Sequence, residues 1–430
     1  MFGFNSIRRA LPAALFLLSA PFLSAQEWDI PPRLTLEDAI QLAVDRNPAL
    51  AAAKSEIQAA EGDTIAASKR LNPTFSLQFD NLPLRTHPGP FFDMQEITSR
   101  VDYEIERGER RRLRTEAANQ ALEAQKLLVR DQTRLLRLEV QRAFYRTILA
   151  SSNLEAAKLI LDQVERTAAL NRVRHKEGDI SALDLNRIEV ETLKYQDDVF
   201  QADLALRNAK GDVLALVNAP DLSRDVSVVG ELPVNYESPE PGLPPQAPLS
   251  ELIGMALKQR PDMAAKMEER RRADTETRLQ RAIRSPNITV GGGYKRNLNE
   301  NAVVFGITIP LKIFDRNEGA IMRADAEQTR AALRIAAARK DLQLEVQKAY
   351  NAVEINRRRV EYIRTRQLKR AEEASQVTLQ SYHLGGSTLM DYLDAQRTYR
   401  DALRIFNQAL FDERISLYEL SSSLALGAQE

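Results

Sequence analysis

Cysteine is missing from all 430 residues, which excludes a disulfide framework, a thiolate metal site and a lipidated N-terminal cysteine together. Histidine is nearly missing: His87, His175 and His383 are the three, and neither His175 nor His383 has a second histidine or an acidic cage at metal-ligand spacing. Aromatic residues make up 6% of the chain against 28% charged, a balance that suits long solvated helices better than a thick globular core. Neither sign of charge is in excess, with 60 acidic and 60 basic residues, so nothing argues for a nucleic-acid partner. The triplet Gly291–Gly293 is not followed by Lys-Ser or Lys-Thr and opens no helix. It reads as glycine within a strand rather than as a phosphate loop. No GxSxG, HExxH or paired buried carboxylates occur, so no enzyme is expected and no cofactor is implied.

Long apolar runs are also missing beyond the start of the chain. Arg8 and Arg9 precede the apolar stretch Ala10–Leu23 and the small residues Ser24 and Ala25. This is the pattern of a secretory signal peptide over residues 1–25, cleaved after Ala25. The stretch is too short, and too broken by Pro12 and Pro21, to span a membrane as a helix.

What the chain does have is itself, twice. Leu36–Leu50 aligns with Leu249–Met263, placing Pro48 on Pro261, and at the same offset Pro73 falls on Pro286. Leu136–Tyr145 aligns with Leu342–Asn351, Gly178 with Gly385, and Asp184 with Asp391. Such ordered self-similarity marks a tandem duplication. The expected layout is a first repeat over 26–232, a proline-rich semi-rigid linker over 233–248 and a second repeat over 249–430.

Each repeat alternates two periodicities. Phe75, Leu77 and Phe79 alternate with Thr74, Ser76, Gln78 and Asp80, and Val101, Tyr103 and Ile105 alternate with Arg100, Asp102 and Glu104. Period two predicts strands over about 73–105, separated by a proline-rich loop Asn81–Glu96. The second repeat predicts a matching hairpin over about 286–311 with a turn at Asn297–Asn301, its apolar positions including Phe305, Ile307 and Ile309. Helical patterns fill the rest. The residue before Pro48 or Pro261 ends one helix, and the proline opens the next. Long helices are expected over Arg110–Lys176 and Ala320–His383, with Ala121, Leu128 and Leu135 as one heptad seam and Leu154, Leu161 and Ala168 as another. Gly178 and Gly385-Gly386 reverse the chain into return helices. These carry the stripe Tyr195, Val199, Ala202, Leu206, Ala209, Val213 and Leu216 and its second copy, which Glu413 interrupts. Apolar seams on both arms predict antiparallel coiled coils with the strands at one end and glycine turns about 100 Å away.

Strands of this length with one apolar face suit a tilted transmembrane barrel, since only helices and closed barrels satisfy the backbone in lipid. Four strands cannot close a barrel, so several copies must pool them. Phe75, Leu77, Phe79, Val101, Tyr103, Phe305, Ile307 and Ile309 are then the lipid-facing set. A secreted coiled-coil structural or adhesive protein would explain the helices but would leave that apolar surface in water.

At this point the chain resembles the TolC-type outer membrane efflux channels. The resemblance rests on the opening helix with Asn47-Pro48, the strand prolines Pro73 and Pro286, the glycine turns, and the segment Tyr382–Asp394. Asn72-Pro73 and the run Glu104–Arg110 look most like the heavy-metal, cobalt–zinc–cadmium branch. It implies a mainly α protein with a transmembrane β-barrel: a homotrimer whose twelve pooled strands continue into a long α-helical tunnel across the periplasm. The implied partners are outer membrane lipid, a periplasmic adaptor protein and an inner-membrane pump. The implied function is a passive exit duct, with metal cations as cargo; drug or solvent efflux and type I secretion are alternatives within the class.

The resemblance also implies site residues. Asp391 and Asp394 match the acidic ring at the tunnel's periplasmic mouth, although two aspartates opening a helix are also what the helix dipole favours. Tyr382 and Asp184 match latch residues of the closed tip, while the position of a latch arginine is Ser387 here. Gly178, Asp179, Ile180, Gly385, Gly386 and Ser387 would face the adaptor. His175 and His383, beside the turns, read as ordinary tip histidines, and Arg107–Arg114 as a solvated basic turn.

Overall fold

The computed structural model describes residues 30–81, 96–232, 247–297 and 300–426. The expected signal peptide and nearly all of the expected linker lie outside these. In chain order the elements are β1 (Arg33–Leu34), α1 (Leu36–Arg46), α2 (Pro48–Ser68), β2 (Thr74–Asp80), β3 (Glu96–Ile105), α3 (Arg110–Glu177), α4 (Ala182–Leu216) and β4 (Ser227–Val228). The second repeat supplies α5 (Leu249–Gln259), α6 (Pro261–Ala282), β5 (Ile288–Asn297), β6 (Glu300–Thr308), α7 (Glu318–Tyr362), α8 (Lys369–His383) and α9 (Leu389–Ser423). A π-helical segment, Ile363–Leu368, joins α7 to α8.

Local chemistry explains the boundaries. Thr35 caps α1 through a reciprocal bond with Asp38. Asn47 ends α1 in an extended conformation, and its side-chain oxygen accepts from the Ala49 and Leu50 amides to open α2 behind Pro48. In the second repeat Arg260 takes that place without a side-chain cap. It is buried instead, between Asp262 at 2.9 Å and Glu345 at 2.7 Å.

The four long strands form one antiparallel sheet in the order β2-β3-β5-β6, so β3 against β5 joins the two repeats, from Ile105 opposite Ile288 to Glu96 opposite Asn297. Two limits differ from expectation. Glu96 belongs to β3, and Asn297, Glu300 and Asn301 belong to strands, so the second hairpin turns more tightly than its polar composition suggested. The only other pairing among the described residues is β1 parallel to β4, Leu34 opposite Val228.

The helices form a layer. Near the sheet the neighbours run α2, α3, α6, α7; nearer the glycine turns they run α4, α3, α9, α8. At 68 residues, α3 extends about 100 Å and underlies both levels. Its second heptad seam is as expected, with Leu154, Leu161 and Ala168 buried, but Leu135 is 49% exposed and Leu136 is buried instead. Packed against several helices, α3 does not keep one seven-residue register along its length. Glu413, which interrupts the apolar stripe of α9, is itself only 3% exposed, and burial pushes its carboxyl pKa up.

The π segment has a sequence counterpart. Leu136 and Leu342 lie 206 positions apart, whereas Gly178 and Gly385 lie 207 apart, so the second repeat carries one extra residue between these landmarks. A π turn is how a helix absorbs one residue without rotating everything beyond it by about 100°.

Candidate functional site

Two ends of the molecule carry the candidate features. At the sheet end, registration sorts the side chains into two faces. Phe75, Val101, Gly292 and Phe305 form one cross-strand row; Leu77, Ser99, Tyr294 and Val303 form the next. Phe75, Leu77, Phe79, Val101, Phe305, Ile307 and Ile309 are all exposed, Phe305 most of all, and Tyr103 is half-buried on the same face. Ile309 falls one residue beyond β6. A Cβ on Gly292 would meet the Phe305 ring at 3.4 Å, so this ring covers the glycine on the apolar side.

The opposite face is polar. It carries Asp80, Glu96, Asp102, Glu104 and Glu300 against Arg100 and Lys295, with threonine, serine and glutamine between. Two ion pairs lie on it: Arg100 to Asp102 at 2.7 Å and Lys295 to Glu96 at 2.7 Å.

Where sheet becomes helix, the basic run is not merely solvated. Arg110 donates to the Ile283 and Ser285 carbonyls that end α6. Arg114 donates to the Ala67 and Lys69 carbonyls that end α2 and also pairs with Glu106 at 2.8 Å. Cations at two helix C-termini satisfy orphan carbonyls and oppose the dipoles.

At the other end, the two hairpins meet at their tips. Gly178 and Gly385 both adopt a left-handed φ, +86° and +79°, which an L side chain resists, and each helix closes with a bond across the reversal. His175 holds the first turn through Nδ1 and the Ile180 carbonyl at 3.1 Å. Asp179, Ile180, Gly385, Gly386 and Ser387 lie in the turns themselves, Gly386 exposed and Ser387 half-buried. Asp184 and Asp391 occupy equivalent third positions of α4 and α9, each engaged with its cap: Ser181 at 2.8 Å and Thr388 at 2.7 Å. The Thr388 hydrogen bonds hold the Asp391 carboxyl below its ordinary range. Asp394 is exposed one turn farther on.

Tyr382 is buried. Its hydroxyl donates to Asn171 at 2.7 Å, and its ring stacks on Tyr392 with centroids 5.9 Å apart. Within the chain it does not meet Asp184, which pairs with Arg187. The arginine that does bind the second tip is Arg174, with its guanidinium 5.6 Å from the Tyr382 ring centroid and donating to the His383 carbonyl at 2.7 Å. Farther along, Arg397 grips buried Glu191 with two bonds of 2.8 Å, and Arg400 reaches Asp198 at 2.9 Å. Sequence spacing does not reveal these cross-hairpin pairs, since the partners lie about 200 positions apart and only the duplication hints that they approach.

Comparison with known proteins matches residues 39–219 and 252–425 to the family described as outer membrane efflux protein. The chain belongs to that family. Among curated relatives, the cobalt-zinc-cadmium resistance protein CzcC of Cupriavidus metallidurans is 27% identical over 369 residues, 85% of this chain and 84% of its own. Two solved structures share the fold. CusC has a TM-score of 0.77 at 18% identity, covering 90% of this chain and 91% of its own. VceC of Vibrio cholerae has a TM-score of 0.75 at 18%, covering 92% and 97%. This efflux channel therefore sits in the bacterial outer membrane with its helical part in the periplasm. No helix among the described residues is long and apolar enough to cross a membrane.

Proposed function

We propose that the chain is one third of a trimeric exit duct for metal cations, fed by an inner-membrane pump through a periplasmic adaptor. The observation that carries the assembly is the pair of unpaired borders. The sheet ends in β2 on one side and β6 on the other, and the helical layer ends in α4 and α8. Exposed apolar side chains line both helical borders: Leu183, Val190, Leu193 and Phe200 on α4, and Leu333, Ile355 and Val377 on α7 and α8. A border strand in lipid needs a partner for every backbone group, so β2 of one copy pairs with β6 of the next. Three copies give twelve strands, with the Phe75–Phe305 face toward lipid and the acidic face inward.

At the far end Asp391 and Asp394 contribute six carboxylates around the axis, a gate that concentrates cations. Tyr382 and Asp184 belong to the closed tip. The two glycine turns, with Leu183 and Leu384 exposed beside them, are the surface offered to the adaptor. Metal cargo rests on the likeness to the cobalt-zinc-cadmium resistance protein.

The test is direct. The purified protein should run as a heat-modifiable trimer from the outer membrane and give single-channel conductance, and a deletion strain should gain sensitivity to divalent metals. A species without conductance would overturn the duct. Unaltered metal tolerance beside altered drug tolerance would overturn the cargo.

A further inference from the structure

The polar face of the sheet contains a bare floor. Gly291 on β5 and Gly306 on β6 are registered neighbours, and both lie in the row of Asp102. Over them lies the side chain of Arg100, which crosses from β3 toward β6. A Cβ on Gly306 would stand 2.7 Å from Arg100 Nη2 and 2.9 Å from Nη1. A Cβ on Gly291 would stand 2.7 Å from Arg100 Nε and would fall within the Asp102 carboxylate. The space left by two missing side chains is therefore occupied by the Arg100–Asp102 pair, whose side chains are 29% and 26% exposed although they lie on an open sheet face.

We infer that Gly291 and Gly306 form a recess that lays the Arg100 guanidinium flat on the inner wall of the barrel, and thereby set the calibre and cation preference of the duct at that level. The inference rests on the trimeric duct proposed above and names positions that determine its selectivity. Arginine is long enough to reach from the wall toward the axis, and three copies would place three cations around it. Lodged in the recess, each is held against the wall and neutralised by Asp102. The remaining charges of this face are four carboxylates and Lys295, itself paired with Glu96. A hydrated divalent cation then meets a wall whose uncompensated charge is negative, Asp80 and Glu300 toward the hairpin turns and Glu104 toward the helices.

The test uses the full-length protein in planar bilayers, recording conductance and reversal potential in a salt gradient. Gly306→Ala should evict Arg100 from the recess, lowering conductance and moving the reversal potential away from cation preference. Adding Arg100→Ser to Gly306→Ala should restore both, because the methyl group is harmless once the guanidinium is gone. Arg100→Ser alone should raise cation preference, and this arm stands even if Gly306→Ala fails to assemble. Unchanged recordings from Gly306→Ala trimers, a double variant as impaired as Gly306→Ala, or an Arg100→Ser channel with wild-type reversal potential would each overturn the inference. A wild-type protein without conductance would overturn the duct itself, a result distinct from all three.

Discussion

Tyr382 and Glu191 show how single residues hold the two hairpins of one chain together. Tyr382→Phe keeps the stack on Tyr392 and removes only the bond to buried Asn171. Leaving that acceptor unpaired costs about 1–3 kcal/mol, so the variant should lose tip protection in limited proteolysis while still assembling. Wild-type cleavage kinetics would count against the bond. Glu191 is held below the ordinary carboxylate range chiefly by its hydrogen bond to Arg397, against the opposing effect of burial. A depressed folded-state pKa means stability that is present above the unfolded value and lost as pH falls through the folded one. Acidification below the ordinary carboxylate range should therefore loosen the hairpins in wild type. Arg397→Ala should already be weaker at neutral pH by about 1.5–3 kcal/mol and show a shallower acid dependence, both readable from denaturant midpoints.

Among elements, the π segment makes the sharpest claim. If Ile363–Leu368 houses the extra residue of the second repeat, deleting Thr365 should give an ordinary α-helix that keeps the phase of α8 and the burial of Tyr382. Deleting Asp162 from the uninterrupted α3 should instead rotate Val164, Ala168 and Asn171 by about 100° and scatter the tip cluster. The first protein should assemble with near-native thermal stability and the second should not. Equal damage from both would remove the insertion account. The sheet shows a different division of labour: alternation identifies its strands, but only registration reveals that Gly292 is covered by Phe305 on the apolar face while Gly291 and Gly306 are covered by Arg100 on the polar face.

For the whole molecule, the proposed duct and the proposed gate stand or fall together with the placement of charge. Asp391 is tied to Thr388, whereas Asp394 stands exposed on the next turn. Replacing both by asparagine retains an acceptor for the cap and removes six charges from the mouth of the proposed trimer. Multivalent-cation block in single-channel recordings should weaken markedly, more than the open conductance changes. Block identical to wild type would return both aspartates to helix capping alone.

Sequence by itself determined the elements and their repetition. Pro48, Pro73, Pro261, Pro286 and the glycine turns act through local backbone chemistry, and the two periodicities follow from local geometry, so both are legible without a fold. The tertiary structure decided whatever depends on partners distant in the chain. It moved the buried seam of α3 from Leu135 to Leu136, because several helices rather than one press on it. It made Arg110 and Arg114 caps for α6 and α2, gave Tyr382 to Asn171 and Arg174 within the chain, and filled a row of absent side chains with Arg100. Each of these is a choice among partners up to about 200 residues away, and no local spacing encodes which of them will arrive.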